Sequence, residues 1–220
     1  MLTLLPIVGL VGSNNLSTAI IILGIGVILI FAASPRYIQF AALGGAGIGF
    51  IAIFLAAESY RLERLAIWRE PEKYEKGFQT IQGLYAIGSG GLFGRGIGNS
   101  IQKLGFVPEA QNDMIFSIIC EEMGLTGAII LILIFALLLW RLCVISMNCQ
   151  ELSGAMIAAG IMGHLAIQVI LNIAVVTNTI PNTGITLPFI SYGGTSIVFL
   201  LGEMGLALNV SRQKNNPPTR

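Results

Sequence analysis

Residues 118–140 read IICEEMGLTGAIILILIFALLLW, and beyond two acidic residues near the start this stretch is almost entirely apolar. A transmembrane helix needs about 20 mainly apolar residues to cross the hydrocarbon layer of a bilayer. The stretch therefore predicts a spanning helix. Runs of the same kind predict four further spans, at residues 17–33, 38–57, 155–177 and 190–210.

The composition indicates the same class of protein. Hydrophobic residues make up 55% of the 220 and charged residues only 10%, whereas a soluble domain needs far more charge to cover its surface. The first residues, MLTLLPIVGLVG, are too few to cross alone, and they lack the basic region and cleavage site of a signal peptide. The sequence predicts an all-α polytopic membrane helical bundle, with about five full transmembrane helices and an N-terminal stub that continues a helix begun upstream.

One long loop separates the predicted spans. Residues 58–113 hold seven basic and seven acidic residues together with several aromatic side chains. Such a long, partly apolar loop is typical of a functional, folded segment. We expect a membrane domain over residues 1–212 that includes this loop, and a cytoplasmic polar tail over residues 213–220.

The basic residues of the short loops predict the orientation. Arg36, Arg141 and Arg212 fall on one face if every span crosses once, and the positive-inside rule makes that face cytoplasmic. The long loop then lies on the extracytoplasmic side, where long loops escape the charge rule. The net charge of +1 argues against a nucleic-acid partner.

Several chemically distinctive residues lie in or beside the apolar runs. The cysteines, Cys120, Cys143 and Cys149, lack metal-ligand spacing and are interpreted as reduced, structural thiols. Lone His164 predicts an interhelical hydrogen bond. Glu203 either pairs across helices or borders the cytoplasmic surface. Glu121 and Glu122 are expected to sit shallow enough to stay wet and to be structural.

Asp113 is the only aspartate in the chain and immediately precedes an apolar run. If residues 108–116 are helical from Pro108 onward, Glu109 lies one turn away on the same face. Two carboxylates so placed tune each other's protonation, which suits general acid–base chemistry. The alternative is that Asp113 only caps the helix that follows, and position alone does not decide between them.

Two glycine- and proline-containing segments interrupt the apolar sequence. Gly88–Ser100 has no Walker lysine and no strand context, so its glycines either allow a close backbone approach or present amides to a diphosphate. Pro181–Ser196 is either an ordinary tight turn or irregular backbone around a polar cavity. In the second case Ser191, Tyr192 and Thr195 line that cavity.

Two long stretches resemble the shape, elongation, division and sporulation (SEDS) family, typified by FtsW, RodA and SpoVE. They read QTIQGLYAIGSGGLFGRGIGNSIQKLGFVPEAQNDMIFSIICEEMGLTGA (79–128) and QVILNIAVVTNTIPNTGITLPFISYGGTS (168–196). The second is more similar to the division-type members. Family members have about ten spans, so the resemblance implies a C-terminal part that starts near an NLST-type helix start at Asn15.

The resemblance implies glycosyl transfer outside the bacterial cytoplasmic membrane, with lipid II as donor and acceptor. It places the family's essential aspartate at Asp113, as the general base for the acceptor hydroxyl, with Glu109 assisting. Gln111-Asn112 stands where the family has His-Thr. The substrate-binding residues that the resemblance implies also include Ser100, Lys103, Gln82 and Ser191. Lys103 would neutralise the departing diphosphate, alone or with a divalent cation (Mg²⁺ or Mn²⁺), and no organic cofactor is expected.

The implied partners are a class B penicillin-binding protein transpeptidase and other divisome or elongasome membrane proteins. Two alternatives stay open: a lipid II flippase that uses the same cavity without bond chemistry, and an inactive truncated remnant. A polymerase needs a base at the outer face, whereas a carrier needs polar groups reachable from both faces. The outer clustering of polar residues favours the polymerase.

Overall fold

The computed structural model describes residues 4–33, 44, 45, 47, 49 and 59–213. Its α-helices are α1 (Leu4–Asn14), α2 (Leu16–Ala33), α3 (Ser59–Arg69), α4 (Phe78–Gly90), α5 (Ile115–Asn148), α6 (Leu152–Val176) and α7 (Gly194–Gln213). Short 3₁₀ helices occupy Pro71–Lys73, Glu75–Gly77 and Gln102–Leu104. These described residues include no β-strand, so the all-α prediction is confirmed.

Four helices are long and apolar enough to cross a membrane: Leu16–Ala33, Ile115–Asn148, Leu152–Val176 and Gly194–Arg212. They confirm four of the five predicted spans, and the fifth, at residues 38–57, lies outside the described residues. The prediction of a folded loop is also confirmed, because α3, α4 and the 3₁₀ helices all fall between Ser59 and Leu104.

The chain divides into two compact units. One comprises Met1–Ala57, Leu137–Ile167 and Thr195–Arg220, and the other Glu58–Ala136 and Gln168–Gly194. The candidate site lies wholly in the second unit, whose core includes the buried side chains of Met114, Phe116, Val169, Val176 and Leu187.

The first unit shows how α2 is positioned. Asn15 caps this helix, since its Oδ1 accepts the Thr18 backbone N–H at 3.1 Å. Gly24 of α2 packs on α6, where an added Cβ would lie 2.6 Å from Ile167 Cδ1. Small residues at such contacts let membrane helices approach closely.

His164 of α6 and Glu203 of α7 form a pair within the first unit. His164 Nδ1 lies 2.9 Å from Glu203 Oε1. The predicted interhelical hydrogen bond of His164 is confirmed, and of the two readings of Glu203 the cross-helix pair is the one observed. All three cysteines are free thiols, as expected.

The helix α5 is broken at Gly124, whose φ of 66° and ψ of −166° are not helical. Only glycine adopts this conformation without strain. The break separates a half-helix, residues 115–123, from a continuous apolar helix over residues 125–148. Both the break and the half-helix matter for the site, because Asp113 lies just before residue 115.

Candidate active site

The second unit contains a polar cavity of about 260 Å³. Its lining comes from the long loop and from the segment that follows α6: Arg64, Ile67, Trp68, Lys76, Thr80, Asp113, Asn178, Asn182, Thr183 and Gly184. Asp113 is the one carboxylate among these residues. The cavity therefore combines a lone acid with two cationic side chains.

The backbone around Asp113 is held by α6 and by the segment that follows it. Buried Asn172 donates from Nδ2 to the Asp113 carbonyl at 2.7 Å and to the Ile185 carbonyl at 2.8 Å. The Ser191 hydroxyl donates to the Asn112 carbonyl at 2.6 Å and accepts the Leu187 N–H at 2.8 Å. These bonds fix the direction of the Asp113 side chain through its main chain.

The Asp113 carboxylate is buried, with 8% of the residue exposed. Gln79 of α4 donates from Nε2 to Asp113 Oδ1 at 3.3 Å, and the Asn182 side chain also hydrogen-bonds the carboxylate. Burial raises the pKa of Asp113 above its ordinary value, and the charge of Glu109 adds to this rise. Hydrogen bonds from its own backbone amide and from the two side-chain amides lower the pKa, but the net direction is upward. A buried carboxylate with a raised pKa and open access to a cavity suits proton abstraction.

Glu109 does not lie one helical turn from Asp113 on a shared helix face, as the sequence suggested. Its φ is 53°, in the left-handed region, and residues 108–114 form turns rather than a helix. The hypothesis of a helix over 108–116 is wrong, because α5 begins only at Ile115. The Asn112 amide donates to the Glu109 carboxylate instead, and Glu109 acts on Asp113 through its charge.

The opposite part of the cavity lining is basic and aromatic. Arg64 donates to the Asn182 carbonyl at 3.3 Å, and Trp68 Nε1 donates to the Asn178 carbonyl at 2.9 Å. Lys76 forms an exposed ion pair with Glu63 at 3.0 Å. These bonds tie α3 to the segment after α6 and bring positive charge to the cavity that Asp113 lines.

None of the five predicted substrate-binding residues, Glu109 included, is among those that line this cavity. Gln82 lies half-buried on α4, and the Ser191 hydroxyl is taken up by main-chain groups. Lys103 binds Glu122 Oε1 at 2.6 Å and the Gly98 carbonyl at 2.7 Å, while Ser100 binds Glu121. Tyr192 and Thr195 are exposed. Contact of any of these residues with a substrate stays a prediction.

The expectation that Glu121 stays wet is wrong, since the residue is only 1% exposed. Its Oε2 accepts the Ser100 hydroxyl at 2.5 Å and the Gln102 N–H at 3.3 Å, and its Oε1 accepts the Ile101 N–H at 3.2 Å. Arg95 NH1 lies 3.7 Å from Oε1. The loop folds back onto this carboxylate, which the local sequence does not reveal.

The described residues contain no group of three His, Cys, Asp or Glu side chains close enough to hold a metal ion by themselves. The cavity offers a single carboxylate beside two cationic side chains. Mg²⁺ is commonly bound by one or two carboxylates together with water and substrate phosphates, so the divalent cation stays a prediction.

Sequence reasoning missed the amides that organise the site. Gln79, Asn172 and Asn182 contact Asp113 or its backbone, although they lie far from it in the chain. The available signal was a polar side chain inside an apolar helix, as at Asn172, because such groups seek buried partners. Trp68 and Arg64 carried no comparable signal.

These observations define a multi-pass membrane protein with a candidate acid–base group in a polar cavity. The chain belongs to the FtsW/RodA/SpoVE family, described as cell cycle proteins, whose sequence model matches residues 1–216. The resemblance read from the sequence is thus confirmed.

Named relatives agree with this assignment. The chain is 45% identical to the stage V sporulation protein E of Bacillus subtilis over 201 residues, which cover 90% of the chain and 55% of the relative. It is 37% identical to the probable peptidoglycan glycosyltransferase FtsW of Trichlorobacter lovleyi, over 96% of the chain and 56% of the relative. The chain therefore spans about half the length of these curated relatives.

Solved structures show the same fold. A chain from a structure described as the structural coordination of polymerization and crosslinking by a peptidoglycan synthase complex matches with a TM-score of 0.75 and 28% identity, over 97% of this chain and 60% of that one. The rod shape determining protein RodA of Thermus thermophilus matches with a TM-score of 0.61 and 28% identity, over 98% of this chain and 56% of that one.

Proposed function

We propose that this chain carries the catalytic base of a peptidoglycan glycosyltransferase that polymerises lipid II, the undecaprenyl diphosphate-linked disaccharide-pentapeptide, into glycan strands. The observation that carries the proposal is the position of Asp113, a buried lone carboxylate on a polar cavity that Arg64 and Lys76 also line. Relatives named as probable peptidoglycan glycosyltransferases support it.

The proposed step begins at Asp113. Its carboxylate takes the proton from the 4-hydroxyl of the acceptor N-acetylglucosamine as that oxygen bonds to the anomeric carbon of the donor N-acetylmuramic acid. The bond from that carbon to the diphosphate breaks, and undecaprenyl diphosphate leaves with the electron pair. General-base catalysis of this kind contributes about 10²- to 10⁴-fold.

Arg64 and Lys76 are proposed to stabilise the negative charge that develops on the departing diphosphate. Both line the same cavity as Asp113, and Lys103 is not among the lining residues. Cations placed where charge develops lower the barrier most in a partly dehydrated site. A cavity of about 260 Å³ lies at the small end for ligand sites, so it would take the reacting sugar end and leave the rest of the substrate outside.

The setting is proposed as the bacterial cytoplasmic membrane, with the Asp113 cavity facing outward and the C-terminus in the cytoplasm. A class B penicillin-binding protein that crosslinks the new strand is the proposed partner. The support is the structural match to a chain of a peptidoglycan synthase complex that coordinates polymerization and crosslinking.

The test is polymerisation of labelled lipid II by the purified full-length gene product with its transpeptidase partner. We expect Asp113→Asn to slow glycan formation by about 10²- to 10⁴-fold, while Glu70→Gln, an exposed carboxylate outside the cavity, polymerises normally. The thermal unfolding midpoint of Asp113→Asn should stay close to wild type, because asparagine keeps the side-chain size and an oxygen that can accept from the Gln79 amide. Normal polymerisation by Asp113→Asn would disprove the assigned base, and lipid II transfer across vesicles without polymer would favour the flippase.

A further inference from the structure

The glycine-rich loop closes onto the break in α5. The break leaves main-chain groups without helical partners, and the loop supplies them. Arg95 and Gly96 donate their N–H groups to the Glu121 and Glu122 carbonyls at 3.0 and 2.9 Å. In return, Leu125 and Thr126 donate to the Gly91 and Leu92 carbonyls at 2.9 and 3.1 Å.

Glycine is required on both sides of this contact. A Cβ on Gly94 would lie 2.2 Å from the Glu122 carbonyl oxygen, and one on Gly124 would lie 2.4 Å from Gly94 N. Both residues also have positive φ, of 76° and 66°. The amides of this loop thus bond main-chain carbonyls of α5. Of the two readings of Gly88–Ser100, the close backbone approach is the one observed.

The packing of the glycine-rich loop on the break also aligns α4 with the half-helix 115–123. A Cβ on Gly83 would lie 2.9 Å from Met114 Cε, and one on Gly90 would lie 1.9 Å from the Cys120 carbonyl oxygen. The later residue of α4, Gly90, lies beside the later residue of the other segment, Cys120. The two segments therefore run parallel. At the start of that pairing, Gln79 donates to Asp113 Oδ1.

We propose that Glu121 is a positioning residue for Asp113: it anchors residues 95–102 over the break, fixes α4 against the half-helix, and so keeps the Gln79 amide on the Asp113 carboxylate. This inference rests on the proposed function only for its catalytic consequence. None of the residues that Glu121 bonds lines the cavity. The proposed influence on Asp113 acts through the packing of α4 against the half-helix.

Glu121→Gln is the discriminating variant. It keeps the size of the side chain, removes the charge that faces Arg95, and replaces one of the two acceptor oxygens by an NH₂ donor. That donor then faces either the Ile101 N–H or the Ser100 hydroxyl and the Gln102 N–H. Unsatisfied buried donors are costly. We expect faster hydrogen exchange at the amides of Arg95 and Leu125, and no change in Glu70→Gln, whose carboxylate belongs to an exposed pair.

The functional readout is the titration of Asp113. Hydrophobic carbodiimide labels protonated carboxyl groups, so labelling of Asp113 against pH, read by mass spectrometry, follows its protonation in the full-length protein without requiring activity. Losing the Gln79 bond should move the midpoint upward by about 0.5 to 1 pH unit. The charged groups near Asp113 are Glu109 from its own turn, and Arg64 from α3 and Lys76 from the 3₁₀ helix Glu75–Gly77, which line the same cavity. Glu121→Gln alters none of them.

A double substitution tests the route. In a Gln79→Leu background, Glu121→Gln should give no additional shift, because the bond it acts through is already absent. An unchanged midpoint in Glu121→Gln, or a full further shift in the double variant, would overturn the proposal. If Glu121→Gln does not fold, Ser100→Ala replaces it, and a smaller upward shift is expected. Absence of polymerisation by wild type would refute the proposed function and leave this titration result standing.

Discussion

Asp113 and Glu121 flank the start of the same helix, and both are buried carboxylates, yet the structure surrounds them very differently. Glu121 receives a hydroxyl, two backbone N–H groups and a guanidinium. Asp113 receives its own backbone amide and two side-chain amides, one of them at 3.3 Å, and it lines a cavity. A carboxylate enclosed by the loop that it binds stabilises structure, whereas one that lines a cavity is available for chemistry.

This difference explains why exposure alone does not identify the base. Glu121 is the more buried of the two, at 1% against 8% exposed. What distinguishes Asp113 is the balance of its surroundings: burial and the charge of Glu109 raise its pKa by more than the backbone amide and the two side-chain amides lower it. The following predictions test that contrast, first on the side of Glu121 and then on the side of Asp113.

The largest effect is expected from Gly90→Ala, which strikes the contact beside Glu121. The new Cβ would meet the Cys120 carbonyl oxygen, a main-chain atom that cannot move aside. We expect a loss of about 3 kcal/mol in the free energy of unfolding, measured by thermal unfolding in detergent. Gly88→Ala is the matched control on the same helix, because no atom lies within 4 Å of its Cβ. Equal midpoints for the two variants would contradict the close packing.

A smaller effect is expected from Gln79→Leu, which removes a donor from Asp113. The pKa of Asp113 should rise further. Since the base acts when deprotonated, a falling pH should inactivate the variant at a higher pH than wild type. The acid limb of the pH–rate profile should move upward by about 0.5 to 1 pH unit. Tyr85→Leu, at an exposed residue of the same helix, should leave that limb in place. A shift in both variants, or in neither, would sever the link between Gln79 and Asp113.

The smallest effect is expected from Glu70→Gln, which touches neither carboxylate. Glu70 pairs with Lys73 at 2.5 Å, but their side chains are 56% and 68% exposed. Exposed ion pairs contribute below about 1 kcal/mol, so the unfolding midpoint in detergent should stay within error of wild type. A large drop would mean that the loop depends on surface charge rather than on the backbone contacts around Glu121.

The sequence predicted the parts of this molecule that depend on local pattern. Apolar runs gave the helices α2, α5, α6 and α7, because crossing a bilayer imposes length and composition on a contiguous segment. The position of the lone aspartate left a helix cap and a base both open, and the resemblance to the SEDS family made Asp113 the candidate base. The partners of Glu121 could not be foreseen, since they depend on a loop that folds back onto the helix. The same holds for Gln79 and Asn182, which reach Asp113 only through tertiary packing.

The length of α5 gives the break at Gly124 a further consequence. A continuous helix of 34 residues would measure roughly 51 Å, well beyond a hydrocarbon layer of about 30 Å. Residues 125–148 alone measure roughly 36 Å and suffice to cross. The first amides of this span, those of Leu125 and Thr126, bond the Gly91 and Leu92 carbonyls. The membrane crossing and the loop beside Asp113 therefore share one anchor point, at Gly124.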